Sequence, residues 1–427
     1  MDNHFDVIVI GAGASGMMAA GTAATHGRRV LLIEKNKTLG NKLSITGGGR
    51  CNITNAEFDI HSLLAQYGSA QQFLYSAFAQ FGVQETFDFF DQRGLPIIVQ
   101  DRKRAFPNTE RASDVVGVMQ RSVTDAGVVV MADTHVLGFL KHSSGNVVGV
   151  ETNKGNFSAS SYVIATGGMS HPETGSTGDG FQFLRDLGHT VSKPTPNVVP
   201  LGVAERWISA LSGISNPDVA MHFYSNTKKV FSKRGPLLFT HFGISGPTVL
   251  NASSRVADIL HSGLVLVHID MYPEMNIGEC EKHIIAIFDQ HKNKTLKTII
   301  RDILRIGDAD VWSLVFPFLN VPVDLLETKV HSICREQRKS LVRIAKSLPL
   351  TITHLMDFDR AVVADGGVVL SEIDMKTMQS KIHSNIYVTG DLLHINRPSG
   401  GYSLQLCWTT GFVAGSNVSF TLSGAHQ

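Results

Sequence analysis

Gly11-Ala12-Gly13-Ala14-Ser15-Gly16 has the G-x-G-x-x-G spacing that lets main chain approach a pyrophosphate, and Glu34 follows 18 residues after Gly16. In such a turn Gly11 allows the bend, Gly13 keeps a Cβ away from the phosphates, and Gly16 lets the helix pack closely on the strand. Amides at the helix start, Ala14 and Ser15 among them, then face the phosphates, aided by a macrodipole interaction of about 0.3–2 kcal/mol. Glu34 can accept hydrogen bonds from ribose hydroxyls, and its charge would repel the 2′-phosphate of NADP. The motif points to FAD or NAD and does not choose between them.

Further glycine clusters recur along the chain: Gly47-Gly48-Gly49, Thr166-Gly167-Gly168, Gly178-Asp179-Gly180, Gly390-Asp391 and Gly400-Gly401. Three consecutive glycines suit neither helix nor strand, so main chain there must come close to something flat or charged.

Short elements must position these turns. Phe5–Ile10 is apolar on both faces, as a central parallel strand requires, and Met17–His26 is a helix that Gly27 closes. Arg29–Ile33 is a second strand ending at Glu34. Tyr162–Ala165 and Asn385–Thr389 read as buried strands, each leading into a glycine turn. Phe181–Leu187 is a short helix with Asp179 as its cap and Gly188 as its stop, and Ser403–Ala414 is a buried helix starting just after Gly400-Gly401.

Gly47-Gly48-Gly49-Arg50-Cys51-Asn52-Ile53-Thr54-Asn55 resembles the G-G-G-R-C-N-x-T-N signature of the BaiN/RdsA-like (YhiN-type) FAD-dependent oxidoreductases, a group that includes aminoacetone oxidase-like flavoproteins. Matches continue in family order at Arg104–Pro107, Ala165–Gly168, Gly175–Gly180, Thr240–Pro247, Thr377–Lys381 and Gly400–Tyr402. The resemblance implies an α/β fold, a two-part FAD-binding Rossmann-like domain of the glutathione-reductase/fumarate-reductase type with an inserted β-barrel-like and helical domain. The FAD parts are expected at 1–192 and 352–427, and the insert at 193–351, β-rich over 197–275 and helical over 277–347. Lys193-Pro194-Thr195-Pro196 and Ser347-Leu348-Pro349-Leu350 are read as turns marking the exit and the return. The chain departs from the family's G-E-x-L-D-x-x-G element, having Gly390-Asp391-Leu392-Leu393-His394-Ile395-Asn396-Arg397 instead, so no relative's substrate carries over.

The positions assigned to FAD are Gly11, Gly13, Ala14, Ser15, Gly16, Glu34, Lys35, Lys42, Gly47, Gly48, Arg50, Cys51, Asn52, Val136, Thr166, Gly167, Gly168, Gly178, Asp179, Gly390, Asp391, Gly400, Gly401, Tyr402, Ser403 and Leu404. In this class of flavoproteins the start of the last helix faces the flavin pyrimidine, where amides stabilise negative charge. Flavin N5 carries the hydride, so no side-chain nucleophile is needed. Arg50 is a candidate to stabilise reduced flavin or a phosphate. His171, His241, His394 and Arg397 are candidates for a proton donor or substrate ligand, set against capping and surface solvation. Cys51, with no partner at x-x spacing, reads as a small buried residue. The six phenylalanines between Phe73 and Phe90 read as core.

Composition sets the outer limits. Lys and Arg exceed Asp and Glu by 38 to 37 in 427 residues, which gives a polyanion little footing. Four cysteines without C-x-x-C or His clustering argue against zinc or a disulfide framework and for a reducing compartment. Glycines interrupt the uncharged stretch Val7–Thr25, so it reads as no membrane span and the protein as cytoplasmic. No second G-x-G-x-x-G accompanies the first, so NAD(P)H, if it is the donor, binds transiently. The alternatives are an aminoacetone-type amine oxidase passing electrons to O2, and a flavin-binding tRNA-modifying or redox-sensing protein.

Overall fold

The computed structural model describes residues 3–142, 146–261 and 263–418. The described residues of Met1–Pro196 and Val362–Gln427 form one compact unit, and Asn197–Ala361 forms a second.

The first unit is built on a sheet whose centre is the strand His4–Ile10, apolar from Val7 onward. It pairs in parallel with Val30–Ile33 on one side and Gly155–Ile164 on the other. Val129–Met131 extends the sheet beyond Val30–Ile33, and Ile386–Val388 lies parallel to the end of Gly155–Ile164. Val136–Lys141 and Val147–Thr152 complete it as an antiparallel flap on the early half of Gly155–Ile164. Strands buried on both faces need helices above and below, and Val7, Ile8 and Val9 have no exposed surface.

The expected first helix spans Ala14–Thr25, three residues earlier than its apolar run suggests, and Gly27 follows its cap with a positive φ of 77°. The helix Tyr402–Asn417 crosses it closely. Added Cβ atoms at Gly411 and Gly415 would lie 2.4 and 2.5 Å from Ser15 O and Ala19 O, so only glycine permits this approach. Phe73, Phe78, Phe81 and Phe90 are buried and Phe87 and Phe89 pack partly against the same core, as their reading as core requires.

Two expected turns are strands instead. Val191–Asn197 contains Pro194 and Pro196 and pairs with Val363–Val368, while Leu348–Leu355 contains Pro349. Proline fixes φ near −65° and pushes its predecessor toward extended backbone, so these segments run straight rather than bend.

The second unit is a closed six-strand barrel, in the order Leu201–Val203, Gly243–Ser245, Lys228–Thr240, Ser215–Ser225, Val265–Asp270, Leu348–Leu355. Alternate residues fill it: Val219, Met221, Phe223, Val265, Val267, Ile269, Leu348, Leu350 and Ile352 are all buried. Ile277–Gln290, Leu296–Leu304, Ala309–Val315 and Arg335–Lys346 supply helices to the same core, and the short helix Ser253–Leu260 interrupts the β-rich stretch. Among the described residues, no helix is long and apolar enough to cross a membrane.

Candidate functional site

The first helix begins without a side-chain cap. Gly13 is its N-cap residue, and the first intrahelical bond runs from Met17 N–H to Gly13 O at 3.0 Å. The Ala14, Ser15 and Gly16 amides therefore have no carbonyl one turn back. Gly11 has φ +99°, and an added Cβ would lie 2.6 Å from Ala165 O; at Gly16 it would lie 1.8 Å from Gly11 O. At Gly13 it would meet nothing within 4 Å, so the space in front of the helix start is open.

Glu34 is buried at the end of its strand. Its Oε2 accepts from Ala12 N–H at 2.7 Å, and its Oε1 accepts from the Asn36 backbone and side-chain amides at 2.9 and 2.8 Å. Asn36, two residues beyond Glu34, was not among the sequence candidates. Val136 lies two residues past Thr134, whose N–H donates to Glu34 O at 2.9 Å. Lys35 Nζ reaches across to Asp179 at 2.6 Å. Asp179 is therefore not the cap of its helix. Gly178, in a left-handed conformation with φ 85°, takes the N-cap position of Asp179–Asp186, and the Asp179 carboxylate turns to Lys35 and Thr177. Burial pushes the Asp179 carboxyl up, but hydrogen bonds from Lys35 and Thr177 bring it below its usual range.

The triple glycine has φ of 59°, 68° and 84°, is exposed, and leaves open space at Gly48 and Gly49. The residues after it are packed. Cys51 has no exposed surface and burial pushes its thiol up to about 12, leaving no thiolate for redox work near neutrality. Asn52 Oδ1 accepts from Ala105 N–H at 3.0 Å. Arg50 lies over the Phe106 ring at 4.4 Å, and its Nη2 donates to Gln100 at 2.9 Å and to Glu110 at 2.6 Å. That bond lowers the Glu110 carboxyl pKa. Glu110 carried no signal in the sequence that would pair it with Arg50.

A second uncapped helix start lies in the same unit. Gly401, with φ 101°, is the N-cap of Tyr402–Asn417, and the first intrahelical bond is Gln405 N–H to Gly401 O at 3.1 Å. Tyr402, Ser403 and Leu404 therefore present amides without intrahelical acceptors. The start is held by a buried polar network. Gln405 Oε1 accepts from Thr54 and Thr86 at 2.6 and 3.1 Å, and its Nε2 donates to Gly82 O and Thr409 at 3.0 and 3.1 Å. Asn55 Nδ2 donates to Gly400 O at 3.2 Å, so the segment after the triple glycine holds the second glycine turn.

Asp391 joins these parts. Lys42 Nζ approaches it at 3.1 Å and donates to Ser170 at 2.8 Å, while Arg397 Nη2 bonds its other oxygen. Gly168 lies against Asp391, and Gly390 against Ser15 and Cys407. Gly167 lies near Ser176. Burial raises the Asp391 carboxyl, but the Lys42 and Arg397 charges outweigh it and hold the pKa low. His394 and Arg397 separate here: Arg397 is 2% exposed, whereas His394 is exposed, 3.7 Å from Asp365. His171 pairs with Glu173 at 2.8 Å. His241 belongs to the second unit, exposed at the turn joining two barrel strands, its ring edge-on to Phe242.

The residues present fit a dinucleotide. The open space at Gly13 would admit a pyrophosphate beside the first helix start, and Glu34 stands where a ribose is read.

The HI0933-like protein Rossmann domain family matches residues 5–417. A 3-dehydro-bile acid delta(4,6)-reductase of Clostridium scindens is 29% identical, covering 95% of this chain and 97% of its own. A ribosomal RNA dihydrouridine synthase of Haemophilus influenzae is 27% identical, over 98% and 100%. In fold, the chain is similar to a 3-ketosteroid-delta4-(5alpha)-dehydrogenase from Rhodococcus jostii, with a TM-score of 0.52, 14% identity and coverage of 98% and 97%. With the family match spanning nearly its whole length and a dinucleotide cradle built at its first glycine turn, this chain belongs to the HI0933-like Rossmann-domain family and is an FAD-dependent oxidoreductase.

Proposed function

We propose that the chain reduces a carbon–carbon double bond conjugated to a carbonyl in an organic substrate, with NAD(P)H as donor. The observation that carries the reading is the pair of uncapped helix starts, at Ala14 and Tyr402, with the Lys42–Asp391–Arg397 ion group beside the second. Bound FAD supplies hydride transfer through its N5. The residues assigned to it hold it: Ala14, Ser15 and Gly16 amides at the pyrophosphate, Glu34 at the ribose, Tyr402, Ser403 and Leu404 amides at the ring. The substrate class draws support from two relatives whose names both specify saturation of such a bond, one in a bile acid and one in uridine. The second of these also favours an RNA substrate, against the near-neutral charge that argues for a small molecule.

Anaerobic stopped-flow of the purified yellow protein tests this. NADH or NADPH should bleach the flavin, and a conjugated enone or a uridine-containing RNA should restore its absorbance. Bleaching by small amines with peroxide formed in air, and no response to either nicotinamide, would overturn the reading in favour of an amine oxidase.

A further inference from the structure

The Lys42–Asp391–Arg397 group holds more positive charge than its own carboxylate neutralises. Arg397 is almost wholly buried; its Nη2 bonds Asp391, its Nη1 donates to Ile395 O at 2.6 Å, and its Nε donates to Ser403 Oγ at 3.0 Å. Ser403 is the second residue of the uncapped helix. Asp391 is at the same time held by Lys42, so one carboxylate faces two cations beside three amides and the positive end of a 16-residue helix. The Cys407 thiol, one turn along that helix, is pushed up to about 12 by burial and by Asp391, against Arg397 and Lys42, and the Tyr402 hydroxyl at the helix start is raised by burial and by Glu57, a carboxylate that Lys103 pairs at the same time. A buried guanidinium is costly unless an anion compensates it, and Arg397 shares its one carboxylate with the partly exposed Lys42.

We propose that Arg397 is a positioning residue that fixes Asp391 and Ser403 and leaves one net positive charge at the helix start, so that the bound flavin is favoured when it carries negative charge. The inference rests on the FAD reading and assigns a role to a side chain at a point where this sequence departs from its family's pattern.

The test uses the full chain and reads the flavin rather than turnover: FAD affinity, midpoint potential, and affinity for sulfite, which adds to the oxidised ring, leaves it negative and abolishes its visible absorbance. Arg397→Gln should keep FAD, bind sulfite at least tenfold more weakly, and titrate at a potential about 30 mV lower, the two-electron equivalent of tenfold. Arg397→Lys, which keeps charge but not the fork, should stay within threefold of the parent in sulfite affinity. Lys376→Gln, at an exposed cation elsewhere in the same unit, should match the parent. A Gln variant with parental potential and sulfite affinity overturns the proposal, as does a Lys variant as impaired as the Gln one. If the Gln variant cannot be loaded, the Lys variant decides: loading with near-parental sulfite affinity supports the charge, and failure to load overturns it. A parent protein that takes up no FAD refutes the cofactor reading itself, which separates the two failures.

Discussion

A methyl group added at Gly13 meets nothing within 4 Å, whereas one added at Gly16 lies 1.8 Å from Gly11 O. These glycines therefore differ, one leaving open space at the helix start, where the proposed reading puts the phosphates, and the other allowing helix and turn to touch. Gly13→Asp should yield a folded, colourless protein with parental far-ultraviolet circular dichroism and no retained FAD, because the new carboxylate fills the phosphate space. Gly16→Ala should lose about 3 kcal/mol of stability to overpacking, read as a lower denaturant midpoint. A yellow Gly13→Asp variant with stoichiometric FAD would falsify the assigned phosphate site. The glycine turn and its close helix contact were legible in the sequence, since the spacing, the flanking apolar runs and Glu34 all lie within some thirty residues. The partners of Arg50 and Asp179 were not. Glu110 lies 60 residues from Arg50 and Lys35 lies 144 from Asp179, distances over which local pattern says nothing.

Elements follow the same division. Strands ending in glycine turns are read from short apolar runs, so Gly155–Ile164 and Ile386–Val388 stand where their turns predict. Proline punctuation misleads, because Lys193–Pro196 is drawn into a strand by a partner near residue 365. One contact in this region makes a pH prediction. His189, buried, donates through Nδ1 to Glu372 at 2.9 Å, and its Nε2 lies 2.9 Å from Ser380 Oγ, which itself accepts from the Ile382 and His383 amides. With both amides on its oxygen, the Ser380 hydroxyl donates to His189, which suits only the neutral ring. Burial first, then nearby His383, lowers the His189 pKa below 6.5, against the pull of Glu372. A depressed pKa means that its contribution to stability is complete above 6.5 and is lost as pH falls through the lower folded value. Melting temperature should fall between pH 7 and pH 5, and less steeply in His189→Gln; identical slopes would count against this assignment.

Across the whole molecule, the chain leaves the first unit once and returns once. The return runs through the turn Asp357–Arg360, in which Asp357, Asp359 and Arg360 are exposed, just before Val363–Val368. Limited proteinase K digestion of the native protein should cut within Asp357–Arg360 before it cuts within either flanking strand, with mass spectrometry of the first fragments as the check. Early cleavage inside Leu348–Leu355 would contradict the closed barrel.

Ile386–Val388 pairs directly with Gly155–Ile164, although more than 220 residues separate them, and the Tyr402 helix start comes later still. During synthesis at about 5–20 residues per second, the nascent first half waits on the order of ten seconds or longer with an unpaired sheet edge and only one of its two helix starts. If the Tyr402 start holds the flavin as proposed, cofactor capture is a late event in biogenesis, and translation stalled inside the barrel strands a chain that lacks both the last strand of its sheet and that half of the site.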